Sequence, residues 1–155
     1  MRVGIGYDVH PFVHGRALIL GGVLVEHDRG LDGHSDADVL VHAVMDALLG
    51  AAALGDIGHH FPPGDPDYRG ASSVDLLEKV MGLLDQRSRR CVNVDSVITM
   101  ESPRIAPHIP EMRANLAKVI RVDVEDIGIK ATTSEGLGFV GRAEGASAWA
   151  VALVE

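Results

Sequence analysis

The sequence predicts one α+β domain spanning residues 1–155, and three observations point that way. At 155 residues the chain has the size of one compact domain, commonly about 100–150 residues. Strand-like alternation and helix-like periodicity are mixed along it without the strict repetition of a parallel βαβ fold. No internal repeat, linker or low-complexity stretch divides it.

Each element has its own signal. Arg2 to His10 alternates as a strand, with Val3, Ile5, Tyr7 and Val9 on one face. Ala17–Leu20 and Val23–Glu26 flank Gly21-Gly22 and read as a hairpin. A helix is expected from about Asp36 to Leu54, with Ser35 as N-cap and Asp38 in the capping-box position. Gly55 to Gly70 is dense in Gly, Pro and Asp, which makes it a loop long enough to act as a lid. A second helix covers about Ser72 to Arg87, and Val92 to Met100 is the next strand. Pro110 opens a third helix ending near Arg121. Ile127–Ala131 is a short strand, Thr132–Gly145 a polar, glycine-rich loop, and Ala146–Val154 the closing strand. That last strand, ASAWAVALV, is apolar on both faces and needs cover on both sides. The chain's own helices or a neighbouring subunit would provide it.

Composition narrows the function classes. The formal net charge is −8 and no basic stripe exists, which argues against nucleic-acid binding. An acidic chain binds phosphate only locally, through metal ions, backbone N–H groups and a few placed cations. One cysteine, Cys91, excludes an internal disulfide framework and fits a reducing compartment. MRVGIGYDVH is not a signal peptide, and no apolar run approaches the ~20 residues of a spanning helix. A cytoplasmic protein without membrane attachment is expected.

Asp8 and His10 stand two apart on an extended strand, so both side chains leave the same face. Val3, Ile5 and Val9 on the opposite face are expected to enter the core. One carboxylate beside one imidazole makes half of a zinc-type donor set. The first helix, DADVLVHAVMDALLGAAAL, is apolar nearly all round, yet Asp38, His42 and Asp46 form one polar stripe. Two readings fit that stripe. One is a local Asp–His–Asp hydrogen-bond ladder. The other makes His42 the third metal ligand, oriented by Asp46 or Asp38, with a fourth position left open for substrate.

His34 and Ser35 lie where this helix begins, as a turn residue and a cap or as donors to a bound anion. Asp56, at the start of DIGHHFPPGDP, can accept hydrogen bonds from substrate hydroxyls. His59 and His60 are adjacent and do not readily face one ion. Lys130 to Gly145, KATTSEGLGFVGRAEG, combines Thr132, Thr133, Glu135 and Arg142 among glycines, the mixture a phosphate cradle needs. Gly136, Gly138 and Gly141 spell G-x-G-x-x-G, but a strand follows this loop, so a dinucleotide site is rejected. No P-loop and no G-x-S-x-G motif occurs, and Cys91 within a strand is a poor nucleophile.

Four segments together resemble one family, the 2-C-methyl-D-erythritol 2,4-cyclodiphosphate synthases of non-mevalonate isoprenoid biosynthesis. They are Gly6–His10, HSDADVLVHAVMDALLGAAALGDIG from His34, SPRIAPHIPEMR from Ser102, and KATTSEGLGFVGRAEG from Lys130. The resemblance spans essentially the whole chain. It implies a homotrimer with a four-stranded mixed sheet, an extra hairpin and three helices per subunit, and active sites between subunits. It also implies a reaction. The 2-phosphate of a cytidine-diphosphate ester of methylerythritol attacks the β-phosphorus, expels CMP and closes a cyclic diphosphate.

Carried onto this chain, the resemblance makes Asp8, His10 and His42 zinc ligands and gives Glu135 a Mg²⁺ or Mn²⁺ at the diphosphate. His34 and Thr133 become transition-state stabilisers. Asp56 and Gly58 face the methylerythritol hydroxyls, Asp8, Val9, His10, His34, Ser35 and Ile57 are further substrate-binding positions, and Phe61, Pro62, Pro63, Gly64 and Asp65 form the lid. Met100, Glu101, Ser102, Pro103, Arg104, Ile105 and Ala106, with Ala131, Thr132 and Thr133, line the cytidine pocket largely through backbone groups, and Ser134 and Glu135 are further substrate-binding positions. Phe139 and Arg142 match further substrate positions. The chain departs from the family's common residues at Arg104 (Lys), Ser134 (Thr) and Ala143 (Gly). Two rivals remain in view: a zinc phosphatase or phosphodiesterase, and a trimeric isoprenoid-phosphate binding protein with a structural metal.

Overall fold

The computed structural model describes residues 1–155. Strand β1 runs from Arg2 to His14, past its expected end at His10. It continues because Phe12, Val13 and His14 pair with a short strand, β4 (Arg29–Leu31), which has no alternation of its own. β2 (Leu18–Leu20) and β3 (Val23–Val25) form the expected hairpin, apart from the main sheet. Its turn residues Gly21 and Gly22 have φ of 57° and 70°, values glycine adopts without strain.

With β5 (Cys91–Thr99), β6 (Ile127–Thr132) and β7 (Gly145–Val154), the main sheet has five strands in the order β4-β1-β7-β5-β6. The expected count of four is corrected by β4. Only the β5–β6 pair is parallel; β1 and β5 both run antiparallel to β7.

The long helix α1 (Val39–Ala52) lies on one face of this sheet. Two glycines decide how. A Cβ on Gly4 would sit 1.9 Å from the Ala47 carbonyl oxygen, and one on Gly6 would sit 1.9 Å from that of Ala43. The helix backbone therefore touches the strand backbone, and Ala146, Ala148, Ala150 and Ala152 of β7 continue the small-residue floor. This reverses the expected orientation of β1. Val3 and Ile5 are 67% and 64% exposed, and Tyr7 and Val9 join them on the bare face with Trp149 and Val151 of β7. The two-sided apolar strand is thus covered by its own helix on one side only.

Helix α1 starts later than expected. Ala37 is in the left-handed region at φ 57°, and Asp38, not Ser35, is the N-cap. The Asp38 carboxylate accepts from Val41 N–H at 3.1 Å and from Gly22 N–H at 2.8 Å, tying the hairpin turn to the helix. Burial pushes its carboxyl up to about 6, with the Asp36 charge adding to the rise and three backbone N–H groups opposing it.

Within Gly55–Gly70 a short helix, α2 (Ile57–His60), and a 3₁₀ turn at Pro66–Tyr68 fold the chain over the end of α1. Helices α3 (Ser73–Gln86, capped by Ser72) and α4 (Ile109–Ile120) close the outer layer. Leu40, Leu48 and Leu49 of α1 meet Leu77 and Leu84 of α3 in one core of 38 buried residues. Each such leucine contributes about 1.5–3 kcal/mol by leaving water. The last short helix, α5 (Gly138–Gly141), sits inside the glycine-rich loop before β7. No helix is long and apolar enough to cross a membrane.

Candidate active site

The sheet end that carries Asp8 and His10 points toward the first half of α1, and His42 projects from that helix to meet them. Asp8 Oδ2 is 2.8 Å from His10 Nε2 and 2.9 Å from His42 Nδ1, and the two ring nitrogens are 3.2 Å apart. Each residue offers one ligand atom to a group within 4.8 Å, a set able to hold a metal ion. Asp38 and Asp46 do not form the expected ladder with His42 and do not orient it. Asp38 caps the helix, and Asp46 accepts the Ile57 N–H at 2.8 Å, where it anchors α2.

His10 is turned by the chain that follows β4. Its Nδ1 lies 2.6 Å from the Asp32 carbonyl, which can only accept, so Nδ1 carries a proton and Nε2 is left to share a proton with Asp8 or to give its lone pair to a metal ion. Burial pushes the Asp8 carboxyl up, but hydrogen bonds and charge from His10 and His42 outweigh it and hold the group at about 2. Burial lowers His10 in turn, and the bond and charge of Asp8 more than reverse this, so it ends above its ordinary value. Such a cluster attracts positive charge, and its donors fit a divalent ion.

The cluster opens into a cavity of about 200 Å³. His34, Ser35, Ile57, Gly58, Phe61 and Pro63 share its lining with Asp8, His10 and His42, and Met45, Tyr68 and Leu76, not singled out from the sequence, complete it. His34 Nε2–H donates to the Asp65 carbonyl at 2.7 Å, which ties the Phe61–Asp65 segment to the rim of the cavity. Phe61 packs edge-on against Tyr68 with centroids 5.3 Å apart. Asp56 caps α2 through the His59 N–H. His60 donates to the Leu54 carbonyl, and neither His59 nor His60 joins a metal-binding group.

The other expected site residues lie elsewhere in the chain. Across the sheet, Val9 stands beside Ser147, Ser147 beside Thr99, and Thr99 beside Thr132. Three strand spacings at ~4.8 Å separate β1 from β6 by roughly 14 Å. Beyond Ala131 and Thr132, Thr133 Oγ1 donates to Glu135 at 3.0 Å, and both residues are exposed. Glu135 stands in the left-handed region at φ 55°. Ser134 ties this loop to Glu101, its N–H donating to Oε1 at 3.0 Å. Met100 and Ile105 are buried in the core, so only their backbones are free to face a ligand, while Arg104 and Ala106 are exposed and Ser102 and Pro103 half-buried. Phe139 is exposed, and Arg142 is held by Glu144 at 2.8 Å. None of these residues lines the cavity of the Asp8 cluster.

Sequence reasoning missed Ser73. It opens α3, is fully buried, and places its Oγ 2.9 Å from His42 Nε2. Ser72 alone satisfies the cap of that helix, so the second serine of the Ser72-Ser73 pair was the available signal.

An Asp–His–His cluster able to hold a metal ion, set on a helix-backed mixed sheet and opening into a cavity, places the chain among α+β proteins with a metal-type site. The chain belongs to the YgbB family, whose model matches residues 1–155. The 2-C-methyl-D-erythritol 2,4-cyclodiphosphate synthase of Syntrophomonas wolfei is 57% identical over 155 residues, covering 100% of this chain and 99% of that protein. A solved structure of a 2C-methyl-D-erythritol-2,4-cyclodiphosphate synthase with CDP bound superposes at a TM-score of 0.91 with 37% identity, covering 99% of this chain and 100% of the other. The bifunctional IspDF of Campylobacter jejuni superposes at 0.95 with 38% identity over 99% of this chain, which spans 42% of that longer protein.

Proposed function

We propose that the chain converts 4-diphosphocytidyl-2-C-methyl-D-erythritol 2-phosphate to 2-C-methyl-D-erythritol 2,4-cyclodiphosphate, releasing CMP. The observation that carries this is the Asp8–His10–His42 cluster opening into a cavity shared with His34, Ser35 and the lid. The full-length family match supplies the substrate class.

The nucleophile is an oxygen of the substrate's own 2-phosphate. It bonds to the β-phosphorus as the bond to the CMP oxygen breaks, and CMP leaves with the electron pair. No water is consumed and no protein nucleophile is needed, so positioning and charge neutralisation carry the catalysis. Zinc at Asp8, His10 and His42, and magnesium or manganese held through Glu135, would supply positive charge against the phosphate oxygens. To donate to the transferring phosphoryl group, the His34 Nε2–H turns from the Asp65 carbonyl and the Thr133 hydroxyl from Glu135. Asp56 and the Gly58 backbone hold the sugar hydroxyls, and Phe61 to Asp65 exclude water. Met100 to Ala106 and Ala131 to Glu135 enclose the cytidine, with Phe139 and Arg142 at the edge of that region.

The same geometry supports assembly as a homotrimer. One chain offers the Asp8 cluster on β1 and the exposed Thr133–Glu135 loop some strands away, so one complete site draws on two subunits. The bare face of Val3, Ile5, Tyr7, Val9, Trp149 and Val151 is apolar enough to be the buried centre of such an assembly. A lone buried thiol, Cys91, and a soluble phosphorylated substrate fit the cytoplasm.

The test is nucleotide release. Chromatography of the substrate incubated with enzyme, zinc and magnesium should show stoichiometric CMP, abolished by a chelator and restored by metal. Absence of CMP under all metal conditions would remove the proposal.

A further inference from the structure

We infer that Asp36 and Ser73 form a positioning relay that holds His42 as an Nε2–H donor, so that its Nδ1 lone pair faces the metal. This deepens the reading of His42 as a ligand and rests on it.

Counting hydrogens leads to the inference. Ser73 Oγ has one proton, and Asp36 Oδ1 is its short-range acceptor. A carboxylate oxygen only accepts, so the Ser73 hydroxyl is committed to Asp36. The same Oγ lies 2.9 Å from His42 Nε2, and it has only lone pairs left to offer there. His42 Nε2 must then carry the proton. Its other nitrogen, Nδ1, is the one 2.9 Å from Asp8 and 3.2 Å from His10 Nε2. On the opposite ligand the Asp32 carbonyl does the same for His10. With a metal in place, both imidazoles would thus be held as neutral ligands by acceptors outside the cluster, as metal-bound histidines commonly are.

The relay is rigid. Ser73 is fully buried at the start of α3, and its own N–H donates to the second oxygen of Asp36 at 2.9 Å. Asp36 Oδ1 also accepts from the Asp38 N–H at 3.2 Å. One carboxylate therefore joins the entry to α1, the start of α3 and the far side of the ligand ring. Ser35 Oγ stands 3.1 Å from the same His42 nitrogen and takes the Ala37 N–H at 3.2 Å; with its own proton directed to the remaining lone pair of Ser73 Oγ, 3.5 Å away, it is a second, longer acceptor for Nε2–H.

The test measures zinc affinity of the metal-stripped protein by competition with a chromophoric chelator, for wild type, Ser73→Ala, Asp36→Asn and His42→Ala. Ser73→Ala keeps the backbone bond to Asp36 and should weaken zinc about 10-fold to 100-fold. Asp36→Asn should weaken it as well, because an amide N–H can donate to Ser73 and free its hydroxyl to donate toward Nε2. In the zinc-loaded wild type, the His42 Nε2–H should be visible by NMR and slow to exchange, and Ser73→Ala should speed that exchange. A purely structural serine would leave that signal unmoved. Affinities of both relay variants within threefold of wild type, with unchanged exchange at His42, would overturn the relay. If His42→Ala meanwhile lost zinc, only the relay would fall; zinc retained by His42→Ala would instead remove the ligand assignment.

Discussion

The Nε2 of His10 and the Nδ1 of His42 face each other across 3.2 Å, with Asp8 Oδ2 within 2.9 Å of both. Two imidazole nitrogens and a carboxylate oxygen converge there, a donor set that fits a divalent cation. The backbone brings them together by letting α1 lie against the glycines of β1. Removing any donor should empty the site while leaving the fold, whose helix is secured by its apolar faces.

His42→Ala is accordingly expected to lose zinc and activity while keeping its helical circular dichroism. Elemental analysis of the purified variant decides it. Full zinc occupancy would show that His42 is not a ligand.

Gly6→Ala and Gly82→Ala should have opposite effects on stability. A methyl group at Gly6 meets the Ala43 carbonyl oxygen at 1.9 Å, whereas one at Gly82 in α3 meets nothing within 4 Å. Overpacking should cost Gly6→Ala about 3 kcal/mol or more. Helix propensity should give Gly82→Ala up to about 1 kcal/mol. Denaturant unfolding of both measures the contrast, and a neutral Gly6→Ala would mean that α1 does not touch β1.

Asp38 makes stability depend on pH in a stated direction. Its folded value of about 6 lies above the ordinary 3.8, so the folded state binds the proton more tightly than the unfolded chain. Its contribution is complete below 3.8 and is lost as pH rises through about 6. Asparagine cannot titrate. The stability of wild type relative to Asp38→Asn should therefore rise as pH falls through that window. A pH-independent difference would place an ordinary carboxyl at this position.

Burial pushes the Cys91 thiol up to about 11, with Asp126 adding to the rise. The thiolate is the reactive form, so native protein near neutral pH should label slowly with a thiol reagent and rapidly after denaturation. Equal rates in the two states would contradict the burial of this strand.

Sharing of the site between subunits is tested by mixing two inactive variants, Asp8→Ala and Glu135→Ala, after joint unfolding and refolding. In a cyclic trimer each interface pairs one chain's Asp8 half with its neighbour's Glu135 half. Random assembly leaves about one interface in four intact, so roughly a quarter of wild-type activity should return. Dead mixed trimers, with wild type refolding well, would put both halves in one subunit.

How much of this was legible in the sequence follows from which residues speak locally. The polar stripe on an apolar helix singled out His42, and the alternation of β1 put Asp8 beside His10. The same alternation misled about the core, because it weighs Val3 and Ile5 and gives no weight to Gly4 and Gly6, whose missing side chains admit the helix. Arg29–Leu31 was invisible as a strand, since only its pairing with Phe12–His14 makes it one. Ser73 was hidden because a serine at a helix start already has a reason to be there. Thr133 and Glu135 came from motif and resemblance, and their separation from the Asp8 cavity emerged only from the strand order.

Phosphorus NMR of 4-diphosphocytidyl-2-C-methyl-D-erythritol 2-phosphate, incubated with the enzyme, zinc and magnesium, tests the central claim most directly. The substrate signals should give way to those of CMP and to two coupled phosphorus resonances of one cyclic diphosphate, with no inorganic phosphate. Release of inorganic phosphate or of an open-chain phosphate would contradict ring closure and identify a metal-dependent hydrolase instead.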